Sequence, residues 1–119
     1  MKLIKNYENI CCKDVLQYVF DLNSLDVEVY KKLKEEKESR ADELAKKIGK
    51  ERSSVYRSLQ KLTFCNLCTK KTKTIETGGY YHLYIFNNAK EVRKEIESCI
   101  DDWYNHMKQI LREFEKEMD

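Results

Sequence analysis

Residues 39–86 read SRADELAKKIGKERSSVYRSLQKLTFCNLCTKKTKTIETGGYYHLYIF, and all three glycines of the chain, at 49, 78 and 79, fall inside this stretch. Ala41, Leu44, Ala45 and Ile48 recur at helical spacing and predict a helix with one apolar face. Ser39-Arg40-Ala41-Asp42 reads as a capping box with Asp in the last place, so the helix is expected to start at Ser39. Gly49 follows the last apolar position, where a sharp turn needs a positive φ. A second helix is predicted over residues 51–64. Val55, Leu59 and Leu62 sit at i, i+4 and i+7 and face the core. At 100° per residue the opposite face carries Ser53, Arg57, Gln60 and Lys61, flanked by Ser54 and Tyr56, with no acid among them. Asn66 tolerates a left-handed backbone and ends this helix. A β-prone, lysine-rich strand over residues 67–77, a Gly78-Gly79 turn and a return strand over residues 80–86 complete the stretch.

Helix, turn, helix and hairpin in this order are the plan of a winged helix-turn-helix, a DNA-reading module. The charge agrees. Residues 39–77 hold 10 Lys/Arg against 4 Asp/Glu, whereas the remaining residues hold 13 against 17. A basic centre with acidic flanks points to a polyanionic partner. An α-helix fits the major groove. Ser53, Ser54, Tyr56, Arg57 and Gln60 are therefore the candidate base readers, with Arg57 suited to bidentate bonding of guanine. Arg40, Arg52, Lys61, Lys70, Lys71 and Lys73 are the candidate phosphate contacts, the last three on the wing. The lysines of the hairpin equally suit an edge strand protected against aggregation. Both roles are compatible.

Outside the stretch, Cys12, Val15, Leu16 and Val19 predict a first helix over residues 10–20. Asn23 or Ser24 caps a second, with Asp26 and Glu28 as favourable first-turn carboxylates and Leu25, Val29, Tyr30 and Leu33 on its apolar face. The run Lys34-Glu35-Glu36-Lys37-Glu38 is expected to be a solvated helix end and loop. The last segment predicts one long helix over residues 89–117. Its apolar positions Val92, Ile96, Cys99, Trp103, Met107, Ile110 and Phe114 are spaced by steps of 4 and 3, a seam rather than a broad face. Such a seam wants a partner, and the simplest is a second copy. Ile96, Cys99, Trp103, Met107, Ile110 and Phe114 are the expected homodimer interface, with Trp103 as anchor. The fold class is thus mainly α with a small β-hairpin wing: a winged helix-turn-helix domain with an N-terminal helix over residues 1–88 and a dimerisation helix over residues 89–119, expected to form the same compact unit.

Hydrophobic residues make up 41% of the 119 residues and charged residues 37%, and proline is absent. These values fit one modest core with long solvated helices. No apolar run at the N-terminus is long enough for a signal peptide or membrane span, so a cytoplasmic location without membrane contact is expected. Five cysteines, an odd number, argue against a disulfide framework. Most are expected to be small core residues. Cys65-Asn66-Leu67-Cys68 also has the spacing of half a zinc site or a redox pair. Cys11, Cys12, Cys99, His82 and His106 are the remaining candidate ligands, without paired spacing, so no metal is expected. No phosphate-cradling glycine loop and no nucleophile elbow is present, which argues against an enzyme and leaves no cofactor to assign.

Three strings extend the argument: Leu25-Asp26-Val27-Glu28-Val29-Tyr30, Ala41-Asp42-Glu43-Leu44-Ala45, and Arg52-Ser53-Ser54-Val55-Tyr56-Arg57-Ser58-Leu59-Gln60-Lys61-Leu62. Together they resemble the TrmB-like winged-helix transcriptional regulators, which overlap in architecture with MarR-like proteins. The resemblance covers residues 23–86 well and the final helix more loosely. It implies a homodimer on a pseudo-palindromic duplex operator, with the final helix in the dimer interface. Larger members carry a C-terminal sugar-binding effector domain; this chain is expected to end before one, which leaves any small-molecule effector unassigned. Lys50 also stands where a small capping residue often precedes the recognition helix. A winged helix that serves as an assembly part without reading sequence, and a thiol-based sensor built on Cys65 and Cys68, are the alternative functions.

Overall fold

The computed structural model describes residues 7–119; residues 1–6 of the expected first domain lie outside them. The chain divides into two units, one ending at Asn88 and one spanning Ala89–Asp119. In the first unit a short 3-10 turn (Tyr7–Asn9) precedes α1 (Cys12–Val19) and α2 (Ser24–Glu36). Asn23 caps α2 reciprocally. Its Oδ1 accepts the Asp26 N–H at 2.8 Å, and the Asp26 carboxylate accepts the Asn23 N–H at 2.9 Å. Helix α2 stops at Lys37, which adopts φ 70° and donates its N–H to the Leu33 carbonyl at 2.7 Å.

The charged run is the helix end as far as Glu36, and in place of the expected loop it continues through this left-handed turn into a strand. Glu38–Ser39 form a two-residue strand, β1, paired antiparallel with Tyr84 and Ile85. Ser39 is consequently a buried strand residue and not a helix cap. Its hydroxyl donates to the Arg40 carbonyl at 2.9 Å. Helix α3 (Ala41–Ile48) begins one residue later than the capping-box pattern predicts, with Arg40 instead of Ser39 in the cap position and no side-chain cap bond.

Gly49 closes α3 at φ 78°. Its own N–H and that of Lys50 both reach the Ala45 carbonyl, at 2.8 and 3.1 Å, so the turn uses carbonyl groups that the helix end would leave open. Helix α4 (Arg52–Phe64) ends in the same manner. Asn66 takes φ 61°, and Leu67 donates to the Leu62 carbonyl at 2.9 Å. Strands β2 (Cys68–Thr74) and β3 (Tyr80–Phe86) pair antiparallel from Cys68–Phe86 to Thr74–Tyr80, giving the sheet order β1-β3-β2. The turn between them is longer than the two-residue glycine turn expected. Residues 75–79 form the loop, pinned by Ile75 N–H to Gly79 O at 3.1 Å and Gly78 N–H to Ile75 O at 2.9 Å. Both glycines have positive φ, 104° and 86°, so the loop still needs them.

The core lies where α2, α3 and α4 meet the sheet. Val29, Leu33, Leu44, Val55, Leu59, Leu62 and Leu67 are fully buried, and Tyr30 stacks at 5.1 Å on Phe86. Each buried aliphatic contributes about 1.5–3 kcal/mol as an upper estimate. The periodicity that predicts the inner faces of α3 and α4 therefore holds residue for residue at Leu44, Val55, Leu59 and Leu62.

The second unit holds α5 (Ala89–Arg112) and the short α6 (Phe114–Met118). The single helix expected over residues 89–117 is broken at Glu113, whose N–H bonds the Ile110 carbonyl three residues back, at 3.1 Å. That tighter turn leaves Phe114 outside α5. At 24 residues, α5 is about 36 Å long. Ile100, Trp103, Met107 and Ile110 are exposed along it, as is Phe114 beyond the break. Among the described residues no helix is long and apolar enough to cross a membrane.

Candidate nucleic-acid interface

The outer face of α4 is the centre of the candidate surface. Ser53, Tyr56, Arg57 and Gln60 are exposed and Ser54 is partly so. Gln60 donates from Nε2 to the Tyr56 hydroxyl at 3.2 Å, one turn away, which orders both side chains on that face. Arg52 stands at the N-terminal end of the helix, and the first turn of α4 contains no acid. A helix end with a positive dipole, a guanidinium and hydroxyl groups favours anionic partners.

Lys61 departs from its expected role on phosphates. Its ammonium lies 2.8 Å from Oδ2 of Asp26 on α2. Ser58, one turn earlier on α4, donates its hydroxyl to Oδ1 of the same carboxylate at 2.6 Å. Asp26 is 2% exposed. Burial by itself would raise its pKa. The bonds from Lys61, Ser58 and the Asn23 N–H outweigh burial and hold the carboxyl below the usual range. The charge of Lys61 is thus committed to fastening α4 onto α2. In the sequence Asp26 is legible only as a first-turn carboxylate. Its partners lie 32 and 35 residues away, and no local pattern announces them.

On the wing, Lys70, Lys71 and Lys73 are all exposed. Strand alternation sends Lys71 and Lys73 to one face and Lys70 to the other, opposite Leu83, Tyr81 and Tyr84 respectively in the register. The three lysines therefore do not present one continuous face. Thr72 and His82 pair across the strands at 3.2 Å. Arg40 is held in place by two contacts, the Asp42 carboxylate at 3.6 Å and the face of Tyr81 at 4.6 Å. Between α3, α4 and β3 lies a cleft of about 320 Å³ lined by Arg40, Arg52, Tyr56, Tyr81 and Tyr84 among others, residues that no local sequence pattern brings together.

The cysteines do not share one environment. Cys68 is buried, Cys65 and Cys99 are half-buried, and Cys11 and Cys12 are exposed, so the expectation of mostly core cysteines holds for Cys68 alone. Burial pushes the Cys68 thiol up, with a partial offset from its contact to Thr63 Oγ1 at 3.3 Å. A thiol kept protonated is a poor nucleophile. Among the described residues no group of three His, Cys, Asp or Glu side chains is placed to hold a metal ion.

The helix pair around Gly49, the antiparallel wing and the acid-free face of α4 define a winged helix-turn-helix regulator. The family model described as the sugar-specific transcriptional regulator TrmB matches residues 16–96, more than half of the chain. The chain belongs to the TrmB family of transcriptional regulators, which are not enzymes, and membership implies DNA binding. It is 33% identical over 99 residues to an uncharacterized protein of Methanocaldococcus jannaschii, an overlap of 83% of this chain and 75% of the relative. A possible transcriptional regulator from Methanosarcina mazei Go1 superposes with a TM-score of 0.78 at 26% identity, over 87% of this chain and 88% of that one. A protein from Sulfolobus tokodaii shares the fold, with a TM-score of 0.63 at 21% identity over 90% and 99% of the two chains.

Proposed function

We propose that the protein regulates transcription as a homodimer that reads a specific duplex sequence with α4. The observation that carries the reading is the outer face of α4: Ser53, Tyr56, Arg57 and Gln60 together, exposed, with no carboxylate among them. A solvated helix face with no ligand normally mixes in acids. Arg57 stands at its middle, opposite Val55 and Leu59, and its planar fork matches the O6 and N7 acceptors of guanine. Ser53, Ser54, Tyr56 and Gln60 supply further base contacts, and Arg52, Arg40 and the wing lysines supply phosphate contacts. Lys61 acts through Asp26, by fixing how α4 is presented. Dimerisation through Ile96, Cys99, Trp103, Met107, Ile110 and Phe114 is supported by the exposed apolar residues of the second unit, and a two-fold protein expects two half-sites.

Selection of bound duplexes from a random pool tests the reading. The expected outcome is one enriched motif with two-fold symmetry. Arg57→Ala should then lose about 1–3 kcal/mol on that motif and relax preference at one position of each half-site. A pool that stays unenriched would assign the fold to protein assembly instead. Equal affinity of Arg57→Ala for the selected site would remove Arg57 from base readout.

A further inference from the structure

We infer that α5 pairs antiparallel with the α5 of a second copy, with Trp103 on the two-fold axis. This pairing rests on the proposed dimer and adds its polarity and register. Val92, where the seam would begin, is already buried. The part left open runs Ile96, Cys99, Trp103, Met107, Ile110, in steps of 3, 4, 4 and 3. The steps read the same from either end, with Trp103 at the centre. Ile96 and Cys99 are half-buried, and the other three are exposed.

A two-fold axis across two antiparallel helices sets each residue against the one equally far from the axis on the other side. Trp103 then meets Trp103, Ile96 meets Ile110, and Cys99 meets Met107. A parallel copy or an unrelated helix makes no demand for this mirror order, whereas antiparallel self-pairing requires it. The layers also balance in size, because the small Cys99 faces the long Met107. In a parallel pair Cys99 would face Cys99 and Met107 would face Met107, which leaves one layer underfilled and another crowded.

The flanks of the seam select the same polarity. At 100° per residue, the five seam residues fall within about 40° of Trp103. Ile100, Tyr104 and Leu111 lie about 60–100° to one side, and Glu95, Asp102 and His106 equally far to the other. The three apolar flank residues are all exposed. Arg93, at the N-terminal end of their flank, is paired with Glu97 at 3.4 Å. Antiparallel self-pairing brings like flank to like flank, whereas parallel pairing sets each flank against the other. The antiparallel pair thus covers Ile100, Tyr104 and Leu111 with the same residues of the second copy, where a parallel pair would offer them carboxylates. The acidic flanks then face each other at the solvent edge, where salt screens them.

Disulfide mapping of the full chain tests the register. In the antiparallel pair the two Cys99 residues stand about 12 Å apart along the axis, beyond the reach of a disulfide. Under oxidised glutathione the wild-type dimer should form no link between them, as read by mass mapping of peptides. Met107→Cys sets a thiol opposite Cys99 and should give a dimer linked between positions 99 and 107 of opposite copies. A link between the two Cys99 thiols, or a Met107→Cys dimer without the 99–107 link, overturns the register. Spin labels carried by an unnatural amino acid in place of Lys94 or of Asn105 read the polarity without touching the seam. These positions are 11 residues, about three turns, apart and share a face. The distance between the two labels should be about 10 Å longer at position 94 than at position 105. Equal distances would mean a parallel pair and overturn the inference. Sedimentation equilibrium separates the two levels. A wild-type monomer at tens of micromolar removes the dimer and this pairing together, whereas a dimer with equal label distances removes the antiparallel pairing alone.

Discussion

Leu33, Leu44, Val55, Leu59 and Leu62 of the winged unit have no exposure at all, whereas Trp103 is 42% and Ile110 48% exposed on α5. Both units are built on helical apolar periodicity, but they use it differently. In the first, three helices and a sheet turn their apolar faces toward one another. In the second, α5 carries a seam of three- and four-residue steps with no sheet and no second long helix of its own unit to meet it. A closed core makes a stability that one chain owns. An open seam covered by a second copy, as proposed, would make a stability that depends on concentration.

Breaking the closed core should have the largest effect. Leu59→Ala removes a fully buried side chain and should cost about 3–5 kcal/mol of unfolding free energy. The loss should be the same at low and high protein concentration. A loss that shrinks on dilution would mean that the first unit too is completed by a partner. Trp103→Ala probes the other region and should cost about 2–4 kcal/mol of association. DNA affinity should fall with it, because two half-sites are then held by separate molecules. Sedimentation equilibrium at tens of micromolar reads the outcome. A wild-type monomer there would end both the dimer and the symmetric operator.

Asp26→Asn sharpens the contrast from inside the winged unit. It removes the charge that holds Lys61 and accepts from Ser58, and should cost about 2 kcal/mol at neutral pH. The figure stays modest because Lys61 is 38% exposed and water screens its side of the pair. The folded carboxyl lies below its ordinary value. The stabilisation is therefore present above the unfolded-state pKa and is lost as pH falls through the lowered folded pKa. Wild type should lose its advantage over Asp26→Asn in acid. A pH-independent difference would locate the effect in packing instead.

The same contrast explains what the sequence could tell. Gly49, Asn66 and the apolar positions of α3 and α4 are legible because their causes are local: a backbone conformation only some residues tolerate, and a period of 3.6. Strand β1 is invisible in this sense. Two residues have no period, and Glu38 and Ser39 sit beside a charged run, so only the edge of β3 makes them a strand. Ser39 satisfied a capping pattern that the real strand overrode. The length of the wing turn is not legible, because Gly78-Gly79 fits a two-residue turn as well as the last two places of a longer one. The site divides likewise. The acid-free face of α4 follows from spacing alone, whereas the Asp26–Lys61 pair and the cleft around Tyr84 need residues that only the fold brings together.

The smallest effect concerns the wing, whose lysines the register splits between two faces. Lys71 and Lys73 share a face and Lys70 does not. If the hairpin lies with one face against the phosphates, the lysines on that face alone should carry counterion release. Each lost phosphate contact should reduce the slope of log affinity against log salt by about 0.9 per protomer. Lys71→Ala with Lys73→Ala should then flatten the slope by nearly twice that amount, equally for specific and random duplexes, while Lys70→Ala leaves it unchanged. The opposite assignment, a change on Lys70→Ala only, would turn the other face of the wing toward the DNA. An unchanged slope in all three would leave the lysines as guards of an exposed strand edge, a role that needs no nucleic acid.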